Sequence, residues 1–266
     1  MHYINTYTNK IKFCSQLTFK RLPFNGFTLV EVLITLGIIS VIAALTIPNL
    51  IRNRQDLETV SQLKKTFSTL SGAYTEIVQE EKTTPENWDL TTTTNVINKF
   101  KPYLNIIKDC SASGTIGCFK LNGITKYLNK TDWINLDQSG NSLLLADGTS
   151  INVYAVDSAN CTAVRGTSLA LNNVCGRIVV DLNGFKSPNV YGIDTFTFYL
   201  TKYGIVPRGA ASDTSAPFTG TGCLGADGTL GFGGSCASWV IYNENLDYAR
   251  CPNTVKTGWN GPTSCE

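Results

Sequence analysis

Gly26-Phe27-Thr28-Leu29-Val30-Glu31 opens an apolar run that continues through Val32-Leu33-Ile34-Thr35-Leu36-Gly37-Ile38-Ile39-Ser40-Val41-Ile42-Ala43-Ala44-Leu45-Thr46-Ile47 and stops at Pro48. As a helix rising 1.5 Å per residue, Phe27 to Ile47 spans about 30 Å, the thickness of a bilayer's hydrocarbon core. One carboxylate, Glu31, lies inside it, where an unpaired charge costs a few kcal/mol. The preceding flank carries Lys10, Lys12, Lys20 and Arg21 and no acidic residue. That asymmetry keeps the N-terminal side cytoplasmic, and Arg52 and Arg54 beyond the run weaken it without reversing it.

A conventional secretory signal does not account for this segment. The run is too long for such a signal, holds a carboxylate, and is followed by no small-x-small cleavage site; Ala43-Ala44 comes closest and bulky Leu45 follows it. A plain membrane anchor leaves Glu31 without a reason. The Gly26-Phe27 junction with Glu31 in the apolar run resembles the cleavage and assembly signal of type IV pilins and type II secretion pseudopilins. The resemblance implies cutting by a prepilin peptidase after Gly26 and methylation of the freed Phe27 amine. It also implies that, in the filament, Glu31 of one subunit neutralises the terminal ammonium of a neighbour, which offsets the cost of holding either charge alone in an apolar shaft. Pro48 stands where members of the family often carry a proline that kinks or locally melts the helix as it leaves the membrane.

The same junction divides the composition. The chain has 266 residues, 22 Lys and Arg against 20 Asp and Glu, and nine cysteines. Removing a 26-residue leader takes four basic residues, Cys14 and the single histidine, His2. The product is then slightly acidic, with 18 basic side chains against 20, and offers no electrostatic reason to bind nucleic acid. Eight cysteines remain: Cys110, Cys118, Cys161, Cys175, Cys223, Cys236, Cys251 and Cys265. An even set beyond a membrane segment suits disulfides in an oxidising compartment. Sequential pairing is expected, 110 with 118, 161 with 175, 223 with 236 and 251 with 265, although spacing leaves other pairings open.

Past the apolar run, Leu57, Val60, Leu63, Phe67, Leu70, Tyr74 and Ile77 recur every three or four residues and make one apolar stripe. The helix is expected to continue through residues 48–81 and end at Lys82-Thr83-Thr84-Pro85. Residues 83–94 read as a polar surface connection, and 95–107 as a short helix broken at Pro102. Asp147-Gly148-Thr149 between the runs 142–146 and 150–156 is a hairpin signal. Residues 177–182, 195–200 and 205–206 read as further strands, the last two joined at Lys202-Tyr203-Gly204. The expected fold is α+β: a long N-terminal transmembrane helix packed on an antiparallel sheet of about four strands, with one face covered, in a head spanning residues 82–266. Residues 208–238, rich in Gly, Ser, Thr and Ala, read as a disulfide-pinned loop.

Catalytic chemistry finds little to work with. With His2 gone, Ser-His-Asp and Cys-His systems are excluded, as are zinc sites that use histidine. The shortest cysteine spacing, Cys110 to Cys118, is too long for a Cys-x2–4-Cys zinc knuckle. Glycine-rich 225–234 lacks the strand, helix and lysine of a phosphate loop. Catalysis by an acidic pair stays open, since Asp and Glu are present, but an enzymatic role is not expected and no cofactor is required.

One segment, 181–194, supports two readings. Asp181-x-Asn183-Gly184 begins as a calcium loop does, with Asp181, Asn183, Asn189 and Asp194 as oxygen ligands for a structural calcium, but Gly192 stands where an EF-hand needs glutamate. Some pseudopilins bind calcium in a C-terminal loop. The other reading, which the residues favour, is a turn in which Asn-Gly supplies positive φ and Asp181, Asn183 and Asn189 bond to local backbone. Trp239, Tyr242, Tyr248 and Trp259 read as core under loops rather than as a surface patch. The resemblance implies a filament subunit whose partners are the prepilin peptidase, an inner-membrane assembly platform, other pilin subunits and, before assembly, membrane lipid. It places the chain in a bacterial inner membrane and then in an extracellular pilus or periplasmic pseudopilus. The alternative is a minor pilin whose head is an adhesive or ligand-binding module at the filament tip.

Overall fold

The computed structural model describes residue 26 and residues 28–112, 115–120, 123–138, 140–220 and 222–265. Helix α1 runs Leu29–Glu81, and the chain divides into two compact units, residues 1–49 and 50–266. The second unit holds the C-terminal part of α1, the short helix α2 (Thr93–Phe100), strands β1 (Ile106–Cys110), β2 (Thr125–Lys126), β3 (Asp132–Ile134), β4 (Ser142–Leu145), β5 (Ser150–Val156), β6 (Val174–Asp181), β7 (Thr195–Thr201) and β8 (Gly204–Pro207), and three short helices, α3 (Ala237–Asn243), α4 (Asp247–Arg250) and α5 (Pro252–Val255).

Six strands form one antiparallel sheet in the order β1-β4-β5-β6-β7-β8, and β2 and β3 make a separate two-stranded ribbon. From β4 onward each strand pairs with its successor in the chain, through tight hairpins at 146–149 and 202–203 and longer connections at 157–173 and 182–194. The Asp147-Gly148-Thr149 hairpin sets Leu144 opposite Ser150, with Gly148 at φ 87° as the turn requires. The second hairpin sets Leu200 opposite Ile205.

Alternation along these strands sends Ile151 and Val153, Ile178 and Val180, and Phe196, Phe198 and Leu200 to one face, where they form the main core with α1. Val60, Leu63, Leu70, Tyr74 and Ile77 of the helix are buried in it and Phe67 packs against it. Phe67 stacks on Phe198 with ring centroids 5.8 Å apart, and the Tyr74 hydroxyl donates to the Lys202 carbonyl at 2.6 Å. Leu57 departs from the expected stripe. Its side chain is 66% exposed, because the stripe meets the core only from Val60 onward. Off the stripe, Lys65 pairs with Asp147 at 2.8 Å, Lys64 pairs with Glu244, and Arg250 pairs with Asp56 and donates to Asn53. These contacts are partly exposed and add little beside the apolar burial.

Three expectations are corrected. The sheet has six strands rather than about four, because all five expected strand segments pair in it and Ile106–Cys110 adds an edge strand with a register irregularity that hides its periodicity. The short helix ends at Phe100, a 3-10 turn carries Pro102, and residues 106 and 107 belong to β1. The connection at 83–94 is not wholly a surface one, since Trp88 and Leu90 are buried and Trp88 packs against Tyr74 and Phe100.

The second face of the sheet is covered as well. Leu144 and Val179 lie under Phe119, Leu136 and Tyr191, with Trp133 and Tyr154 packed alongside. The loop that carries Phe119 is held by the Cys110–Cys118 disulfide and by buried Asp137, whose Oδ1 accepts the amides of Gly117, Cys118 and Phe119 at 2.7, 3.0 and 3.0 Å. A carboxylate met by three amides needs no cation to be held there. Further disulfides join Cys161 to Cys175, Cys223 to Cys236 and Cys251 to Cys265, the sequential set. The described residues of 208–236 are irregular, as the glycine content suggests, and α3 begins at Ala237.

Replacing Leu63 with Ala is expected to cost about 2–5 kcal/mol of head stability, the range for emptying a fully buried leucine site. Leu57→Ala, on the same helix but exposed, should stay within about 0.5 kcal/mol. Denaturant unfolding of both variants, followed by tryptophan fluorescence, compares them directly.

Candidate functional site

The N-terminal unit places its apolar side chains on the outside of a helix. Leu29, Leu33, Ile38, Val41, Ile42 and Leu45 are all exposed, and so is every described residue from Thr28 to Asn49 except half-buried Ala43. The stretch is long and apolar enough to cross a membrane. In water such a surface would be a large unsatisfied patch, so it calls for lipid or for other helices.

Glu31 begins that surface with a specific geometry. Its Oε2 accepts the Thr28 amide and the Thr28 hydroxyl, each at 2.8 Å, while the Glu31 amide donates back to Thr28 Oγ1 at 3.2 Å. These reciprocal bonds are a capping box, in which two orphan amides at the helix start are satisfied by one Thr-x-x-Glu unit. The carboxylate thus starts the helix while remaining exposed. Thr28 is a functional residue that sequence reasoning did not single out, although its signal, a threonine three positions before a glutamate at the head of an apolar run, is present in the chain. Gly26 is exposed, and a Cβ built on it would meet no atom of the described residues within 4 Å. Phe27 and residues 1–25 of the leader, with His2 and Cys14, lie outside the described residues. Pro48 lies within α1, which is helical on both sides of it.

The 181–194 segment joins the end of β6 to the start of β7 and brings all four of its candidate ligands into one cluster. Asp181 Oδ1 accepts the amides of Asn183 and Gly184 at 3.1 and 2.8 Å. Asp194 Oδ2 accepts Asn183 Nδ2 at 3.0 Å and the Asn189 amide at 2.8 Å, and its Oδ1 accepts the Val190 amide at 2.6 Å. The Thr195 hydroxyl lies 3.4 Å from an oxygen of each aspartate. The turn geometry is therefore present, with Gly184 at φ 60° and Asn189 at φ 52°. Its hub is Asp194, whereas the side-chain carbonyls of Asn183 and Asn189 do not bond to local backbone as the turn reading expected.

Both aspartates are almost wholly buried. Burial raises both carboxyl pKa values, and at Asp181 the charge of Asp194 raises it further. Asn183 Oδ1 and Asn189 Oδ1 are buried with no hydrogen-bond partner among the described residues. Two carboxylates and two amide oxygens without partners are hard oxygen donors of the type calcium takes, while both oxygens of Asp194 are already met by three N–H donors.

The remaining candidates resolve into structure. Asp247, Cys251 and Cys265 cluster closely enough for a metal, but both sulfurs are engaged in a disulfide. Trp239 and Tyr248 are fully buried, and Trp239 stacks on Phe218 at 4.2 Å. Trp259 is partly buried and packs on Trp239, whereas Tyr242 is 66% exposed and does not belong to the core expected of it.

Comparison with known proteins bears on the N-terminal site alone. Residues 23–47 match the family described as the prokaryotic N-terminal methylation motif. That stretch contains Gly26, Phe27, Thr28 and Glu31 and ends one residue before Pro48. The motif is of the type IV pilin-like kind. No curated protein and no solved structure matches the chain.

Proposed function

We propose that this chain, with its type IV pilin-like prepilin peptidase signal at residues 23–47, is a structural subunit of a type IV pilus or a type II secretion pseudopilus. The observation that carries the reading is the exposed apolar helix from Leu29 onward, interrupted by a single carboxylate at Glu31. The subunit is anchored in the inner membrane with its N-terminus cytoplasmic, cut after Gly26 and methylated on the Phe27 amine. An assembly platform then extracts it, and the shafts of neighbouring subunits replace lipid around its apolar surface. In that packing Glu31 meets the terminal ammonium of a neighbour, and each charge removes the cost of burying the other. The role is structural rather than catalytic. A second reading, a minor subunit whose head binds a ligand at the filament tip, is favoured by the size of the head and its four disulfides.

The buried oxygen cluster extends the proposal. Asp181, Asp194, Asn183 and Asn189 would hold a structural calcium, which would neutralise two adjacent buried carboxylates and tie the β6–β7 connection together.

Mass spectrometry of the mature N-terminus is expected to find methylated Phe27; an intact Met1 or a cut near Ala44 would sink the filament reading. Glu31→Gln keeps an acceptor for the Thr28 amide but removes the charge, whereas Glu31→Ala removes both. Both variants should insert in the membrane and fail to enter filaments, and only Glu31→Ala should loosen the helix start, as read by amide exchange at Thr28. Normal filament content in Glu31→Gln would show that the carboxylate serves the cap alone. For the loop, millimolar calcium should raise the melting temperature of the full chain in micelles, magnesium should not, and Asp194→Asn should abolish the rise. Absence of a calcium shift in the unmutated chain removes the metal.

A further inference from the structure

On the sheet face turned away from α1, the head contains a cavity of about 240 Å³ that no part of the assembly mechanism uses. At about 30 Å³ per water it has room for about eight waters, or for one ring-sized group. Its floor comes from the outward positions of three adjacent strands: Tyr154 of β5, Arg177 of β6 and Thr197 of β7. Its walls come from the ribbon segment, through Tyr127 and Trp133, and from the glycine-rich 208–236 segment, through Arg208, Phe232 and Ser235. The Cys223–Cys236 disulfide closes that segment next to Gly222 and Ser235, both of which line the cavity, so the walls are held before any ligand arrives.

The chemistry of the lining is selective. It contains two arginines, and no aspartate or glutamate is among the described lining residues. Arg177 is partly neutralised from behind, since its Nη2 lies 3.1 Å from Asp157. Arg208 has no carboxylate within ion-pair distance among the described residues, although the charge of buried Asp213 acts on it from further off, and its Nε, like that of Arg177, is buried without a hydrogen-bond partner there. Ser235 is fully buried, and its Oγ is also without a partner. Buried donors in this state are costly unless something completes them. The rest of the surface offers flat rings and hydroxyls: Trp133 lies edge-on to Tyr191 at 4.4 Å, Tyr127 lies 4.8 Å from Phe232, and the Tyr191 hydroxyl meets Thr197 Oγ1 at 2.9 Å. Gly234 keeps the mouth open, because a Cβ there would stand 3.2 Å from Arg208 Nη1 and 3.3 Å from the Tyr191 ring.

We propose that this cavity binds a carboxylate-bearing monosaccharide residue, with Arg208 and Arg177 taking the carboxylate, Ser235 and the tyrosine hydroxyls taking ring hydroxyls, and the aromatic walls covering the apolar face of the sugar. A planar guanidinium matches a carboxylate bidentately. A polyol satisfies a hydroxyl-rich lining better than a simple anion does, and ring C–H faces pack on aromatic surfaces as other apolar groups do. The inference goes beyond filament assembly and rests on the head alone, so it stands or falls independently of Phe27 and Glu31.

The test uses the full chain in detergent micelles with D-galacturonate as probe, read by saturation transfer from protein to the sugar protons and by Trp133-dependent fluorescence. Galacturonate is expected to bind, with D-galactose and inorganic phosphate each weaker by about tenfold or more, the loss that one charge-assisted hydrogen bond accounts for. Arg208→Gln should weaken galacturonate by about tenfold or more. Gly234→Ala, which removes no charge but crowds Arg208 Nη1 and the Tyr191 ring, should also weaken it while leaving the melting temperature within a few degrees of the parent, and it keeps the test decisive if the arginine variant folds poorly. No binding of galacturonate overturns the proposal. Equal binding of galactose or phosphate, or binding unchanged in the variants, overturns it as well.

Discussion

A helix that is apolar on every side cannot be covered by one sheet, and this constraint organises the molecule. From Leu29 to Ile51 every side chain of α1 except half-buried Ala43 is exposed. From Val60 to Ile77 the same helix carries a single apolar stripe, and the head covers that stripe. The first segment has a surface that calls for lipid or other helices, whereas the second is covered by β-strands of its own chain. Glu31 marks the start of the first segment, where its carboxylate caps the helix that it would otherwise burden with an unpaired charge.

The head meets a different constraint. Its sheet is buried on both faces, although antiparallel sheets often leave one face wet. The inner face is covered by the helix, while the outer is covered by irregular segments that carry little regular hydrogen bonding of their own. Such segments need other ties, and two kinds are present. Disulfides close short stretches of chain, which limits the freedom that the unfolded loops would regain. Buried carboxylates gather backbone amides: Asp137 takes three, and Asp194 takes those of Asn189 and Val190. A loop-covered sheet face also leaves hollows where segments meet, and the arginine-lined cavity lies in one of them.

How much was legible in the sequence follows from the range of the forces involved. The apolar run, the i, i+3, i+4 stripe and the Asp147-Gly148 hairpin are local patterns, and each lies where its pattern predicts. The edge strand β1 was not legible, because its register irregularity and its exposed Ile107 break the alternation that marks a strand. Leu57 continues the stripe in sequence but not in packing, because periodicity records which face a residue occupies and not how far the partner surface extends. The candidate loop was legible as a set of oxygen-bearing residues. That Asp194 is its hub, and that Thr195 bridges both aspartates, depends on how β6 and β7 close upon each other.

The class of object is written in the linear chain: a basic flank, a Gly-Phe junction, one glutamate in a membrane-length apolar run and an even set of cysteines beyond it. Those features act over a few residues or through composition, so no folding is needed to read them. What the head presents follows from the folded chain alone. Tyr154, Arg177 and Arg208 stand on separate strands or just beyond one, and Trp133 and Ser235 come from segments about 100 residues apart. Sheet pairing and the Cys223–Cys236 tie bring them to one cavity, and contacts made across such separations leave no periodic trace in the chain.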